Sequence, residues 1–304
     1  ETPNSSGETL DGTAPVSSLQ TSSASAEILS GSAISSSKST PTPGALPTTP
    51  SKELIASAAH FLDFPFEFVD TPQALDRVSS ILASSSQIAV DVEACVVHDS
   101  SSHQLGQISL IQLCLPQKQT VFLVDLLTLG KDRVVQALRP CFESASVEKL
   151  FFDCRRDVEA LSCQLQLKPL NVLDLQLMYT GILWRFKSIY RRFGLGVVLK
   201  AVTGETKKDS DAAVRLAMTR GNRPVWDVRP LPQHFLEYAA GDVKHTAMLS
   251  KVLIETYGAT HADGSRRLSA EYVRLYGASG KPVEVEVDPA PAEVSELWLL
   301  RVFG

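Results

Sequence analysis

The chain has 304 residues, 44% of them hydrophobic, and carries a net charge of −5 at pH 7. It is long enough for one large domain or two small ones with a real core, and the acidic balance is at first sight unsuited to a nucleic-acid partner. The five cysteines form no C-x-x-C pair and the six histidines no H-x-x-x-H group, so zinc motifs are missing. A reducing intracellular compartment is expected, with cytoplasm, nucleus and mitochondrion left open. No run approaches eighteen apolar residues, so no membrane span is expected. Because the first residue is Glu1 rather than Met, the chain is compatible with a piece of a longer protein that carries a targeting segment upstream.

Residues 1–52 are dominated by Ser, Thr, Pro, Ala and Gly, and Lys38 is the one basic residue before Lys52. Such a stretch buries too little apolar surface to offset the entropy of ordering it. It reads as a disordered tail or linker, with a phosphorylated or partner-binding tail as its functional alternative. Order begins near Glu53. Phe66 to Asp70 reads as a strand, and Thr71-Pro72 opens a helix to about Ala83, with Thr71 as N-cap. Gln87 to Glu93, Ser109 to Leu115 and Val121 to Leu127 read as three strands in an antiparallel meander, the last two joined by the Pro116–Gln119 turn. A helix from Asp132 to about Phe142, a strand from Val147 to Phe152 and a helix from Arg155 to about Leu165 follow. Beyond Asn171 the chain reads as mostly helical, ending in one long amphipathic helix from Gln233 to about Tyr257. This order fits an α/β class, a mixed central sheet flanked by helices with a mostly helical C-terminal half. After Gly258 the pattern fades. Ser265 to about Tyr276 reads as a helix with Arg266, Arg267 and Arg274 as phosphate-contact candidates. Glu293 to Phe303 carries an apolar stripe of Val294, Leu297, Trp298 and Val302, suited to core packing or to a partner.

The chemistry sits in the acids. Asp91 and Glu93, two apart at the end of an apolar strand, point to one face. Their bland alternative is a strand leaving the core for solvent. The strand Leu150-Phe151-Phe152 is also followed by acids, Asp153 at or near a helix N-cap and Asp157 one turn into the helix. On the long helix Tyr238 and Asp242, four residues apart, share a face. Alone, that pair reads as a buried tyrosine pinned by an aspartate. Together the four carboxylates, without His or Cys ligands, describe a site for hard cations, two Mg2+ or Mn2+. A two-ion clamp suits phosphodiester hydrolysis. A phenol with a pKa of about 10 is a poor base but can orient the attacking water.

The set Asp91-x-Glu93, Asp157 and Tyr238-x-x-x-Asp242 resembles the three exonuclease motifs of the DEDD superfamily in its tyrosine-bearing branch. Gly106 to Leu113 is similar to the segment after the first motif, Lys149 to Leu161 to the second motif, and Trp226-x-x-Arg229-Pro230-Leu231 to the lead-in to the third. These are features of ribonuclease D-like families. The resemblance covers roughly Phe66 to Tyr257. It implies a ribonuclease H-like fold for residues 53–258; beyond the resemblance, 259–304 reads as a short helical extension packed on that domain. The resemblance also implies hydrolysis from a 3′ end with release of nucleoside 5′-monophosphates. Four acids would hold the ions and Tyr238 the water. Phe152 stands where ribonuclease D proteins often carry histidine, and the FDCRRD wording is closer to Egalitarian-like proteins, some of which have lost acids and act as RNA-binding adaptors. Here every acid is present. Glu237, where the other branch needs histidine, rules that branch out.

The negative net charge conceals a basic run. From Arg185 to Arg223 ten basic residues, among them Lys187, Arg191, Arg192, Lys200, Lys207 and Lys208, face three acids. Trp184, Phe186, Tyr190 and Phe193 are interleaved with them. The cations are expected to track phosphates, whereas the aromatics divide between base stacking and core packing. The reading is a 3′-5′ exoribonuclease on single-stranded RNA, with a non-catalytic RNA adaptor and a DNA exonuclease as alternatives.

Overall fold

The computed structural model describes residues 49–95, 106–189, 191–207, 214 and 225–278. The N-terminal tail up to residue 48, Lys208 and the apolar stripe in 293–303 lie outside the described residues. Six strands form one sheet in the order β1-β4-β3-β2-β5-β6. They are β1 (Phe66–Val69), β2 (Gln87–Ala94), β3 (Ile108–Leu115), β4 (Thr120–Asp125), β5 (Glu148–Phe151) and β6 (Val172–Asp174). β2, β3 and β4 are the antiparallel meander, while β1 joins β4, β5 joins β2 and β6 joins β5 in parallel. Only β3 therefore runs against the other strands, and the carboxyl ends of β2 and β5 open at the same edge of the sheet.

Helices cover both faces. α1 (Lys52–Ala59), α2 (Pro72–Leu82), α3 (Leu126–Leu129), α4 (Lys131–Phe142), α5 (Arg155–Leu165), α6 (Leu175–Lys187), α7 (Leu195–Thr203), α8 (Gln233–Tyr257) and α9 (Ala259–Gly277) follow in chain order. One core layer joins Ile88 and Val90 of β2 to α2, α4, α5 and α9 through Leu75, Leu138, Leu161 and Tyr272. The opposite layer joins Ala89 of β2 and Leu110 and Cys114 of β3 to α7 and α8 through Leu199, Val243 and Met248. The two-residue strand period makes this division, and it sends Asp91 and Glu93 toward the α8 layer, the side of Ala89.

Most elements fall where the apolar pattern placed them. Thr71 caps α2 by accepting from the Ala74 N–H at 3.3 Å, with Pro72 in the first turn. The differences have local causes. Leu126 and Leu127 leave the predicted strand because the Asp125 carboxylate accepts from the Leu127 N–H at 3.2 Å and starts α3. β6 is three residues long, too short to show a period. α9 begins at Ala259, not Ser265, directly after Gly258, whose φ of 83° only glycine adopts without strain.

Asp153 stands directly before Cys154, the N-cap of α5, near the helix start as expected, but its side chain does not cap the helix. Its φ is +65°, and its carboxylate takes two bonds from Arg155 at 2.6 and 2.8 Å. The orphan donors at the start of α5 go instead to Asp174, buried at the end of β6, which accepts from the N–H groups of Asp153 (3.1 Å) and Cys154 (2.8 Å). The same carboxylate caps α6 through the N–H groups of Gln176 and Leu177. α9 holds the backbone of Asp174 with Ser265 and Ser269 at 2.6 and 2.9 Å. Replacing the acceptor leaves four donors without it, and unsatisfied buried donors are costly. Asp174→Ala is expected to lose about 3 kcal/mol or more in urea unfolding, with Asp174→Asn losing less. A loss within the error of the wild-type value would show that the double cap is not what holds α5.

Candidate active site

β2 delivers Asp91 and Glu93 on the face that α8 covers, and α8 presents Tyr238 and Asp242 from one side, as the four-residue spacing requires. Ala239 and Ala240, both with almost no exposure, let this helix lie close to the sheet. Carboxylate oxygens of Asp91, Glu93 and Asp242 come within 4.8 Å of one another. Asp157, in the first turn of α5, adjoins the group, close enough for the Asp91 charge to act on its carboxyl. The structure thus brings all four predicted acids to the shared carboxyl end of β2 and β5.

The electrostatics are those of crowded like charges. Burial, and then the Asp242 charge, push the Asp91 carboxyl up to about 7. Glu93 is raised well above the ordinary carboxylate range by burial and by Asp91, and Asp157 likewise by burial and by Asp91. Such a group calls for cations, and two observations fit that demand. The donor set is oxygen only, as hard divalent ions prefer. The Lys207 ammonium already donates to Asp242 Oδ1 inside the site.

That placement of Lys207 departs from the sequence reading, which put it on a phosphate track. Its Nζ lies 4.9 Å from the centroid of the Tyr238 ring, a cation–π distance, and its side chain is 9% exposed. The rest of the basic run behaves differently. Arg185, Lys187, Arg191 and Lys200 are exposed and Arg192 is half-buried. Among the aromatics, Trp184 is core, Phe186 lies against His261, and Phe193 packs on Tyr179 with the Arg191 guanidinium 5.3 Å from its ring. Tyr190 lies outside the described residues. Arg266 and Arg274 are not open phosphate contacts either. Arg266 is paired with Glu148 and Asp263, and Arg274 with Glu271.

A cleft of about 410 Å³ opens over the acids, with Asp91, Asp242 and Tyr238 on one side and Phe152 and the Gly194–Val197 turn among its other walls. Two supports were not legible as site residues. Gln112, fully buried on β3 and directly across the ladder from Asp91, has its amide NH2 within 3.1 Å of Asp91 Oδ2 and 3.2 Å of the Asp91 carbonyl when oriented toward these acceptors. The same side chain offsets part of the upward push on the Glu93 carboxyl. One signal was available for it: Gln112 is the polar residue between Leu110 and Cys114 on the α8 face of an otherwise apolar strand. The second support is Arg229, which follows Trp226 in the approach to α8. Its guanidinium grips the buried Asp125 carboxylate, at 2.8 Å from Nε, and the carbonyl of Trp226 at 3.0 Å. Trp226 in turn packs on Phe235 and Tyr238, with ring centroids 5.1 and 6.2 Å away.

A mixed sheet with acids at the carboxyl ends of two parallel strands, closed by a helix bearing tyrosine and aspartate, defines a nuclease of the 3′-5′ exonuclease class. Residues 66–256 match the 3′-5′ exonuclease family model. The chain belongs to that family, in the tyrosine-bearing, ribonuclease D-like branch of the DEDD exonucleases, and is accordingly a hydrolase with a ribonuclease H-like fold. Trypanosoma brucei RNase D is 49% identical, the match covering 80% of this chain and 83% of that one with a TM-score of 0.75. The same protein in complex with RNA U12 matches at 47% identity over 82% of each chain, again with a TM-score of 0.75. The catalytic core of RRP6 from T. brucei, at 21% identity, 69% and 52% coverage and a TM-score of 0.55, shares the fold. No curated protein sequence is matched.

Two measurements check this electrostatic picture. A carboxyl raised in the fold favours the protonated state, so its contribution to stability is full at low pH and fades as pH rises through the folded pKa. The metal-free protein is therefore expected to lose melting temperature between about pH 4 and about pH 7, the span over which Asp91 is displaced. Divalent ion should restore it at the upper end, because ions bind the deprotonated group. A melting temperature that climbs across that span in chelator contradicts the crowded-acid account. Gln112→Leu removes an amide that orients two acids, and loss of such outer partners costs metal affinity by about tenfold or more. Calorimetry with Mn2+ that finds wild-type affinity would exclude Gln112 from that role.

Proposed function

We propose that the protein is an exoribonuclease that shortens single-stranded RNA from its 3′ end, releasing nucleoside 5′-monophosphates with the aid of two Mg2+ or Mn2+ ions. The observation that carries this reading is the convergence of Asp91, Glu93, Asp157 and Asp242 beneath a cleft that Tyr238 also lines. RNA is favoured because T. brucei RNase D, 47% identical, crystallised with RNA U12.

Asp91, Glu93, Asp157 and Asp242 would hold the ions. When bound, these ions supply the positive charge that polarises the scissile phosphate and acidifies the attacking water. Tyr238 directs its hydroxyl at that water and fixes its line of attack, while its ring is held by Trp226 on α8's approach. The cleft receives the terminal nucleotide, with Phe152 and the Gly194–Val197 turn as its walls. Exposed Arg185, Lys187, Arg191 and Lys200 meet the phosphates of the strand further from its end. Lys208 belongs to this proposed track by sequence alone. Some adaptors of related sequence have lost acids, and the presence of all four here favours the enzyme.

End-labelled RNA and DNA strands of matched sequence test the proposal. RNA should be shortened from the 3′ end with Mg2+ or Mn2+ and left intact with chelator. Asp242→Asn should abolish the reaction, and Tyr238→Phe should slow it by about 10²-fold. A wild-type protein that binds RNA without degrading it under either ion would instead identify an adaptor, and faster loss of the DNA strand a DNA exonuclease.

A further inference from the structure

Lys207 lies three residues beyond Gly204, where α7 ends with a φ of 77°. From there its stem runs back over the first turn of the same helix, where a Cβ added to Gly196 would lie 4.0 Å from Lys207 Cδ. The ammonium ends between the Asp242 carboxylate and the Tyr238 ring, the two groups that the third motif contributes. Lys207 and Asp242 side chains are 9% and 10% exposed, so neither charge is left to water. Lysine and a divalent ion would here compete for the same carboxylate oxygen, and like-signed charges so close cannot both stay. Lysine suits such an exchange because its ammonium is a point charge on a flexible four-carbon stem. Gly196 leaves the stem free of an opposing side chain on that side. Once displaced, the tethered ammonium still projects into the cleft, where the substrate phosphate must sit for the acids to act.

We propose that Lys207 is the exchangeable cation of this site: it neutralises Asp242 while divalent ions are absent and passes to the scissile phosphate on the 5′ side of the RNA's last nucleotide when they bind. The inference rests on the proposed metal role of the acids. It makes Lys207 both a competitor of the metal and a ligand of the substrate, two properties that a structural salt bridge does not combine.

Calorimetry with Mn2+ alone, melting with and without Mn2+, and steady-state kinetics on a short RNA separate the cases. Lys207→Met keeps the stem and removes the charge, whereas Lys207→Arg keeps the charge. In Lys207→Met, Mn2+ affinity should rise at least threefold, the melting temperature gained on adding Mn2+ should exceed that of wild type, and KM for RNA should rise about tenfold at saturating Mg2+. Lys207→Arg should stay near wild type in all three. An unchanged or weakened Mn2+ affinity in Lys207→Met overturns the proposal, as does an unchanged KM. Should Lys207→Met fail to fold, Lys207→Gln is read by the same criteria. Wild-type protein that binds no Mn2+ would remove the metal reading itself, and this proposal with it. Wild-type binding with an indifferent Lys207→Met removes the exchange alone.

Discussion

Mutual repulsion among buried carboxylates is the constraint around which this protein is arranged. Asp91, Glu93, Asp157 and Asp242 stand at one edge of the sheet, and burial together with their neighbours' charge raises the first three above the usual carboxylate range. A fold tolerates such a group only when donors and cations face it. Here they come from three directions. The Gln112 amide reaches across the ladder from β3, the Lys207 ammonium sits over Asp242, and the first turn of α5 offers its positive dipole end to Asp157. Destabilisation of the site without metal and affinity for divalent ions would then be one property.

Holding the acids in place falls to polar anchors away from the cleft. Asp174 gathers the starts of α5 and α6 on one carboxylate and is itself held by two serines of α9, so the C-terminal helix supports the element that carries Asp157. Arg229 does the same for α8 by tying the preceding segment to Asp125 at the end of β4. Both anchors are buried or half-buried and multiply bonded, the condition under which a charge inside a protein is stable rather than costly. Asp174 fixes the entry of two helices and Arg229 that of one, and a helix entry sets where every later side chain points. Tyr238 and Asp242 therefore depend on contacts made well before them in the chain.

Much of this was legible from the residues. The bounds of α5 and α8 agree with their apolar period, Thr71-Pro72 announced α2, and the pairing of Tyr238 with Asp242 followed from helical spacing. What was missed is of two kinds. Some elements are too short for a period, as with β6 and α3, whose starts and stops depend on single carboxylates finding backbone N–H groups. Others turn on partners distant in the chain. Asp153 stands beside the α5 cap as its place in the chain suggests, but the carboxylate that serves the helix start is that of Asp174, 21 residues on, and Arg266 is engaged by Glu148, far from it in the chain.

The sequence by itself determined the chemistry: oxygen-only acids at the ends of two apolar strands and a tyrosine one turn before an aspartate on a long helix. Local periodicity and residue type suffice for that, since they state which groups share a face. Tertiary structure alone decided how the charges are balanced. Lys207 belongs to a basic run in the chain, and nothing in its neighbours distinguishes it from Arg191 or Lys200, which are exposed. Gln112 is one polar residue in an apolar strand until the antiparallel register sets it opposite Asp91. Charge compensation is a long-range matter of distance and burial, so it became visible only once β3, α7 and α8 were brought together around the acids.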